Sequence, residues 1–446
     1  MPVMRVFPNR GRRMRPPEQS IAPISSRSWS LGAVILYVAF SAVAARAADR
    51  VTLEAAVLHA LESNPDIVQA EAEVRAARGR REGADLLLKD NPEIGAAIGP
   101  RSREDAAEED LDWEVSATQS FEIAGQRSAR IDVTSAAVAA AEARLVERRA
   151  VVAAQVRAAF GRVLGAAARA ELADAALRLA RQAVDAADER HRRGAASLIE
   201  LNTARVEAGR SDRARLEAAR RRAAALAELK LLMAVAPGDS LLLEGELESL
   251  SPARRLDVDE LSTIAIRSRP ALIAARQDLE SARAEERLAA REAVPSPQIG
   301  ARYQREEDAE IVQGTVSIDL PLFARNQAGK GVSRARTMQA ESLVAALERQ
   351  VAQEVALAVE SVEVARETLE GFAGDVLKAL DENVALVNKG YEAGKIDFLQ
   401  LILIRRETLE ARRDYIEALE ELNTAEAELD RAVGMIPFAG GQDENR

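Results

Sequence analysis

The stretches NPEIGAAIG at residues 91–99 and SPQIGARYQ at residues 296–304 decide the fold of this 446-residue chain. Their prolines are 205 residues apart, and the same offset relates Asn64-Pro65 to Arg269-Pro270. A repeat of this length is far longer than any solenoid period. The chain is therefore predicted to contain two copies of one unit: a helix, a β-hairpin, a very long helix, a turn and another long helix.

This repeat gives the predicted domain organisation. A signal peptide occupies residues 1–47, the first unit 48–250, the second unit 251–437 and a disordered tail 438–446. The leader carries seven arginines and one glutamate through residue 48, then an apolar stretch and a small-x-small cleavage sequence at Ala45-Arg46-Ala47. The apolar stretch is too short to span a bilayer as a helix, so export is expected, with an uncleaved anchor as the alternative.

Composition favours long packed helices over a thick globular core. Aromatic residues are 3% of the chain and cysteine is absent, while Ala, Leu, Val, Glu and Arg dominate the long segments. Without cysteine there is no disulfide, no thiolate metal site and no lipidated N-terminal cysteine. The formal charge is −11, and removal of the +6 leader would leave −17. This charge disfavours nucleic acid as a partner.

Alternating apolar residues predict a β-hairpin in each copy. The predicted strands lie around Ile94–Ile98 and Trp113–Phe121, and again around Ile299–Tyr303 and Val312–Leu320. Strands of about 9–11 residues have the length that a tilted strand needs to cross a bilayer. Four strands cannot close a barrel in lipid, so several chains would have to pool them. A soluble four-stranded sheet is the alternative.

Long helices follow each predicted hairpin. Residues 128–192 contain no proline, and at about 1.5 Å per residue this helix would be roughly 100 Å long. Its partner runs from Ser197 to about Ala236, and the second copy repeats the pair with an apolar stripe from Leu343 to Val387 and a helix over 397–433. Helices of this length are expected to form a bundle or a tube.

Two short turns join these helices. Gly194 and Gly394 suit the left-handed position that ends a helix, and Ser197 and Asp397 suit the N-cap of the next helix. Capping alone explains these residue types, so the sequence of the turns does not by itself indicate a function.

Taken together, residues 51–437 resemble the TolC family of outer-membrane efflux channels. The resemblance rests on the opening VTLEAAVLHALESNP at residues 51–65, the two repeated strand starts and the two Gly-x-x-Ser/Asp turns. The strand-to-helix junctions resemble the CzcC-like branch, which serves heavy-metal efflux, through Phe121, Glu122, Gly125, Arg127, Pro321, Phe323, Asn326 and Gln327. Ala124 and Gln126 depart from the FELGGKR sequence expected at the first junction.

The resemblance implies a mainly α fold with a membrane β-barrel. It implies a homotrimer with a twelve-stranded barrel in the outer membrane of a Gram-negative cell and an α-helical tunnel through the periplasm, in contact with outer-membrane lipid. The implied partners are a periplasmic adaptor protein and an inner-membrane resistance-nodulation-division pump. The expected adaptor-docking residues are Gly194, Ser197, Leu198, Gly394, Asp397 and Phe398.

The gate is expected to differ from that of some family members. In those members, aspartates six and nine residues after the second turn glycine narrow the closed pore, and here these positions are Gln400 and Leu403. The first turn offers Glu200 and Thr203 at the same spacings. Glu200 is therefore a hypothetical pore-lining carboxylate, and a solvated helix face is the simpler alternative.

No catalytic motif is present, so an enzyme is not expected. The two histidines, His59 and His191, fall on different elements, and no HExxH, GxSxG or P-loop pattern occurs. No cofactor or metal site is predicted, and selection of substrate is expected in the pump. The predicted function is export of divalent heavy-metal cations such as cobalt, zinc or cadmium. The alternatives are the same channel for drugs, solvents or type I secretion, or a non-conducting periplasmic coiled-coil protein.

Overall fold

A computed structural model describes residues 50–101, 110–250, 255–306, 309–372 and 375–435. The predicted signal peptide and tail lie outside the described residues, as do residues 102–109 and 307–308 at the two hairpin tips.

The first copy follows the predicted order of elements. Its elements are β1 (Arg50–Val51), α1 (Leu53–Ser63), α2 (Pro65–Ala84), β2 (Glu93–Arg101), β3 (Asp110–Ser120), α3 (Gln126–Arg192) and α4 (Leu198–Leu232). Thr52 caps α1 by accepting a hydrogen bond from the Ala55 N–H. α4 ends at Leu232, four residues before its predicted end at about Ala236.

The second copy repeats this order, with one interruption. Its elements are α5 (Val258–Ser268), α6 (Pro270–Arg291), β5 (Gln298–Glu306), β6 (Ala309–Ser317), α7 (Gln327–Glu370), α8 (Asp375–Glu392) and α9 (Phe398–Val433). β4 (Leu242–Leu243) and a short 3-10 helix (Leu247–Ser249) precede them, after α4. The apolar stripe over 343–387 predicts one continuous helix, but α7 ends at Glu370, before Gly371, and α8 is a separate helix that begins at Asp375. Glycine weakens a helix interior, which accounts for the break here.

The four long strands form one antiparallel sheet in the order β2-β3-β5-β6. The register pairs Ile94 with Ala117, Val115 with Tyr303, and Ile299 with Val316. The strands are 9 to 11 residues long, as predicted. In the described residues β2 and β6 are the two edges of this sheet, and neither edge is paired on its outer side.

The helices next to the sheet form a layer in the same order. α2 packs against α3, α3 against α6, and α6 against α7, so α2 and α7 stand at the two ends of the layer. Away from the sheet, α4 and α9 pack against α3 in the places of α2 and α6. One 18-residue window of α3 is apolar enough to cross a membrane, and 67% of that window is buried inside the chain.

Of the apolar clusters in the described residues, three join three or more helices. The first joins α1, α3 and α4 around Phe160 and Leu229, and the second joins α5, α7 and α9 around Val355 and Leu429. These two clusters occupy equivalent places in the two copies. The third lies beside the inter-helix turns and contains Phe398 with residues of α3, α4, α8 and α9.

Candidate functional site

The four-stranded sheet has one apolar face and one polar face. Residues directly opposite each other in an antiparallel pair point to the same side. By this rule one face carries the apolar residues Ile94, Ala96, Ile98, Leu111, Trp113, Val115, Ala117, Ile299, Ala301, Tyr303, Val312 and Val316. The other face carries Glu93, Asp112, Glu114, Ser116, Thr118, Arg302, Gln304, Gln313 and Thr315. This alternation, apolar outward and polar inward, is that of a transmembrane β-barrel strand.

Specific side-chain contacts strengthen each face. On the apolar face, the rings of Trp113 and Tyr303 lie 5.1 Å apart between centroids. On the polar face, Arg302 Nε lies 3.0 Å from Glu114 Oε1. Ile98 and Val312 are more than 70% exposed in the single chain. An exposed apolar sheet face of this kind requires lipid or protein against it.

The first strand-to-helix junction is held by long-range hydrogen bonds. Gly125, at the N-cap of α3, has φ +74°, a left-handed conformation that favours glycine. Arg291 on α6 donates from Nη1 to the Gly125 carbonyl at 2.5 Å and to the Ser128 hydroxyl at 2.7 Å. Glu122 and Arg130 form a partly buried ion pair. The junction therefore joins β3 and α3 to the end of α6.

Gln126 is the buried centre of this junction. Its side-chain oxygen accepts the Ala124 N–H at 2.8 Å, and its amide donates to the carbonyls of Val294 (3.3 Å) and Arg291 (3.5 Å). Only 3% of Gln126 is exposed. The sequence marks Gln126 as a departure from the family pattern, and the structure shows that glutamine fits this position through three hydrogen-bond partners, Ala124, Arg291 and Val294.

The second junction repeats the first. Asn326 takes the place of Gly125 with φ +54°, and its amide donates to the Ala289 carbonyl at 2.9 Å. Gln327 accepts the Arg325 N–H at 2.9 Å and donates to the Phe323 carbonyl at 2.7 Å. Both junctions are thus hydrogen-bonded to the end of α6. Phe121 adds a backbone bond from its N–H to the Pro297 carbonyl at 2.9 Å.

The two inter-helix turns have the capping geometry that the sequence predicts. Gly194 and Gly394 have φ +73° and +70°. Ser197 accepts the Glu200 N–H at 3.1 Å, and Asp397 accepts the Gln400 N–H at 2.8 Å. The Gln400 side-chain oxygen in turn accepts a hydrogen bond from the Asp397 N–H, which completes a capping box.

Glu200 links the two turns rather than pointing into solvent within this chain. Its carboxylate accepts a hydrogen bond from the Tyr391 hydroxyl at 2.9 Å and lies 3.7 Å from Arg190 Nη1. Arg190 also stacks over the Tyr391 ring at 5.0 Å, and that ring packs against Phe398. Burial, and then the bond to Glu200, raise the pKa of Tyr391 to about 12. Sequence analysis did not identify Tyr391, although its helix-end position beside the turn was a signal.

Of the other residues predicted at the turns, Leu198, Thr203 and Leu403 lie on the surface of the chain and Phe398 is buried. Thr203 donates its hydroxyl to the Ile199 carbonyl at 2.7 Å, and Leu403 is exposed. Leu198, Ile199 and Leu399 are exposed apolar side chains beside the two caps, whereas Phe398 is buried in the turn cluster. The pore-lining and docking roles of these residues stay predictions.

Buried ion pairs join α3 to α9 between the turns and the sheet. Arg157 donates to Asp430 at 2.6 Å and to Glu426 at 3.1 Å, and all three side chains are nearly buried. Nearer the turns, Arg169 makes a two-pronged pair with Glu420. Burial raises the pKa of the Glu420 carboxyl although the Arg169 pair opposes this shift. Separating α3 from α9 would leave these buried charges without partners, which is strongly destabilising. The ion pairs therefore hold the two helices at a fixed spacing.

The described residues hold no group of three or more His, Asp or Glu side chains placed to bind a metal ion. The His191 ring lies with Nδ1 2.9 Å from the Ala196 carbonyl oxygen, a contact within the first turn.

Comparison with known proteins identifies the architecture. The profile of the family described as outer membrane efflux protein matches residues 56–235 and 261–435. The chain belongs to the outer membrane efflux protein family. It is therefore an outer-membrane efflux channel protein, as the resemblance implied. Its two matched segments coincide with the two structural copies.

Individual relatives agree with this assignment. This efflux protein is 26% identical over 390 residues to the cobalt-zinc-cadmium resistance protein CzcC of Cupriavidus metallidurans, covering 87% of this chain and 91% of that protein. Its structure resembles that of the outer membrane protein VceC from Vibrio cholerae (TM-score 0.71, 17% identity, 86% and 96% of the two chains). It also resembles the open state of the Neisseria gonorrhoeae MtrE outer membrane channel (TM-score 0.72, 18% identity, 86% and 89%). These structures confirm the predicted fold class of the single chain.

Proposed function

We propose that three copies of this efflux protein close into one channel that exports divalent heavy-metal cations. The channel would have a twelve-stranded barrel in the outer membrane and a helical tunnel in the periplasm. It would work as the outer component of a tripartite system, with a periplasmic adaptor and an inner-membrane resistance-nodulation-division pump. The pump supplies the energy, and the channel supplies the path.

The matching open edges of the sheet and of the helical layer carry this proposal. The sheet has the order β2-β3-β5-β6 and the helical layer has the order α2-α3-α6-α7. The edge strand β2 and the end helix α2 are therefore consecutive in the chain, and so are β6 and α7. Closure would therefore pair β6 with β2 of the next copy and α7 with α2 of the next copy. Unpaired strand edges are not tolerated in lipid, and spanning barrels need about eight strands or more. Three copies of four strands meet this requirement with full symmetry.

Charge on the polar sheet face and the named relative support a cationic substrate. Glu93, Asp112, Glu114 and Glu306 oppose Arg302 on the face that would line the barrel. A lining of this sign favours cations over anions. CzcC, at 26% identity over most of the chain, is named for resistance to cobalt, zinc and cadmium.

The inter-helix turns are the proposed contact with the adaptor. They lie at the end of the helices farthest along the chain from the sheet, and they present Leu198, Ile199 and Leu399 to solvent. Exposed apolar residues on rigidly capped turns suit a protein partner. Widening of this end would separate the two turns, and the Tyr391–Glu200 contact would resist that movement.

Growth of a deletion strain tests the substrate. We expect selective sensitivity to zinc, cobalt or cadmium, restored by the intact gene, because cations expelled by the pump would lose their exit. Sensitivity to dyes or antibiotics with normal growth on metals would discard the metal assignment and keep the channel. Absence of single-channel conductance by the purified protein would favour the non-conducting coiled-coil alternative instead.

A further inference from the structure

Large apolar side chains stand exposed where the sheet meets the helices in the described residues, and six of them lie on residues 86–88 and 320–323. These six are Leu86, Leu87, Leu88, Leu320, Leu322 and Phe323, here called the junction collar. Leu87 is 78% exposed and Phe323 is 90% exposed in the single chain. The sheet register places Ser120, Gln298 and Ser317 side by side, so the two parts of the collar flank the same end of the sheet.

The three leucines of the first part are presented by a loop that is held at its two ends. At one end, Arg127 donates to the Asp85 carbonyl at 2.8 and 3.0 Å and to its carboxylate at 2.7 Å. At the other end, the Gln119 amide donates to the Asp90 carbonyl at 2.9 Å and the Ser120 hydroxyl to the Asp90 carboxylate at 2.8 Å. The loop is therefore fixed to α3 and to β3 while its apolar side chains face outward.

The second part of the collar is also fixed by hydrogen bonds. Arg325 donates from Nε to the Pro321 carbonyl at 3.0 Å, and Gln327 donates to the Phe323 carbonyl at 2.7 Å. These bonds hold the segment against the start of α7. Large apolar residues held outward on two ordered segments indicate an apolar surface that the folded protein uses.

The thickness of the sheet shows which apolar surface this is. Its apolar face runs along β3 from Leu111 to Gln119, a strand length of about 27 Å. If the strand is tilted by about 40° from the membrane normal, this length covers about 20 Å of membrane thickness. The apolar band of outer-membrane barrels is about 25 Å tall. On β5 and β6 the same face carries the opposed charges Arg305 and Glu310 in the row of Trp113, inside this span, so the apolar band does not extend toward the hairpin tips. The missing thickness, at least about 5 Å, must therefore come from the helix side, where Leu320 continues the alternation of β6.

We propose that the junction collar inserts into the acyl chains of the periplasmic leaflet and completes the apolar band of the barrel. The collar sets the depth of the channel in the membrane, and Arg127 acts as the positioning residue for its leucine loop. This inference rests on the proposed outer-membrane barrel. The second copy has Arg291-Glu292-Ala293 where the first has Leu86-Leu87-Leu88, so the leucine loop occurs once in each chain.

Tryptophan fluorescence in brominated lipid tests the collar. In a background with Trp29 and Trp113 replaced by phenylalanine, single tryptophans are introduced as Leu87→Trp and Phe323→Trp. The intact protein is then reconstituted in vesicles of phosphatidylcholine with or without bromine on the acyl chains. Ile98→Trp, on the apolar sheet face, reports on the barrel, and Leu231→Trp, exposed at the end of α4, reports on water-facing helix. These two positions have exposures similar to that of Leu87.

We expect the emission of Leu87→Trp and Phe323→Trp to be lost in brominated lipid as strongly as that of Ile98→Trp, with Leu231→Trp unaffected. Quenching of Ile98→Trp alone would overturn the collar and keep the barrel. Blue-shifted but unquenched emission of Leu87→Trp would also overturn the collar, because it would mean that a neighbouring copy covers the loop. An unquenched Ile98→Trp would contradict the proposed barrel itself.

Discussion

Removing one hydroxyl should loosen the end of the channel where the two turns meet. Tyr391→Phe deletes the bond from the Tyr391 hydroxyl to the Glu200 carboxylate and keeps the ring that packs on Phe398. Hydrogen bonds to charged groups contribute about 1.5–3 kcal/mol. Arg190 remains 3.7 Å from Glu200 and compensates part of the loss, so we expect a change of about 1.5 kcal/mol for each chain.

That free energy predicts a clear change in gating. A change of about 1.4 kcal/mol is a factor of ten in an equilibrium, so the ratio of closed to open turns should fall roughly tenfold in each chain. The assay is the open fraction of single channels of the purified protein in planar bilayers. Tyr415→Phe, a tyrosine on α9 packed against Phe372, is the matched control. An unchanged open fraction in Tyr391→Phe would refute the idea that this contact resists opening.

The pH dependence of this effect follows from the raised pKa of Tyr391. Because its pKa rises from 10.0 to about 12 in the folded chain, the contribution of the contact is complete below the ordinary pKa. It is lost as the pH rises through the folded value. The difference between Tyr391→Phe and the unchanged protein should therefore be constant from about pH 6 to pH 9. A difference that changes across that range would assign the titration to another group.

Five further substitutions test the packing of the helices and the path of the exported cations. Gly161→Ala places a methyl group against the Asn423 side chain of α9 and should destabilise the folded protein by about 1–3 kcal/mol. Gly209→Ala places its methyl group in open space and should stabilise the folded protein by about 0.5–1 kcal/mol. The midpoint temperature of the loss of helical circular dichroism measures both changes. Gln126→Leu should lower that same midpoint more than Gln327→Leu, since only Gln126 is buried, and equal shifts would contradict its central role. Glu200→Gln should lower the cation selectivity of the conductance, and unchanged selectivity would remove Glu200 from the path.

Local sequence patterns predicted much of this fold. The alternating residues gave the four strands at their observed lengths, because a period of two is visible without any knowledge of partners. The caps at Ser197 and Asp397 were equally predictable, since a cap depends on residues within one turn of the chain. The spans of α3 and α9 followed from long stretches of good helix formers.

Long-range contacts could not be predicted in the same way. In the sequence, Gln126 is only a departure from a motif. The reason for a glutamine there is its hydrogen bond to the Val294 carbonyl, which is distant in the chain and close in space. Tyr391 meets Glu200 across 191 residues of chain, a separation at which no periodicity gives a signal. The order of the helical layer likewise depends on which helices pack together, and the sequence repeat alone does not fix it.

Closure by three copies is the central claim, and disulfide cross-linking tests it most directly. Within one chain, Ser281 on α6 donates to the Val133 carbonyl on α3 at 3.2 Å. The offset of 205 carries Ser281 back to Ala76 on α2, and the offset of 201 that relates Gly125 to Asn326 carries Val133 forward to Arg334 on α7. Both positions are exposed, and the chain has no cysteine. If α7 pairs with α2 of the next copy, Ala76→Cys with Arg334→Cys should oxidise to linked species that end at three chains. Absence of linkage, or a series that continues beyond three chains, would contradict the account.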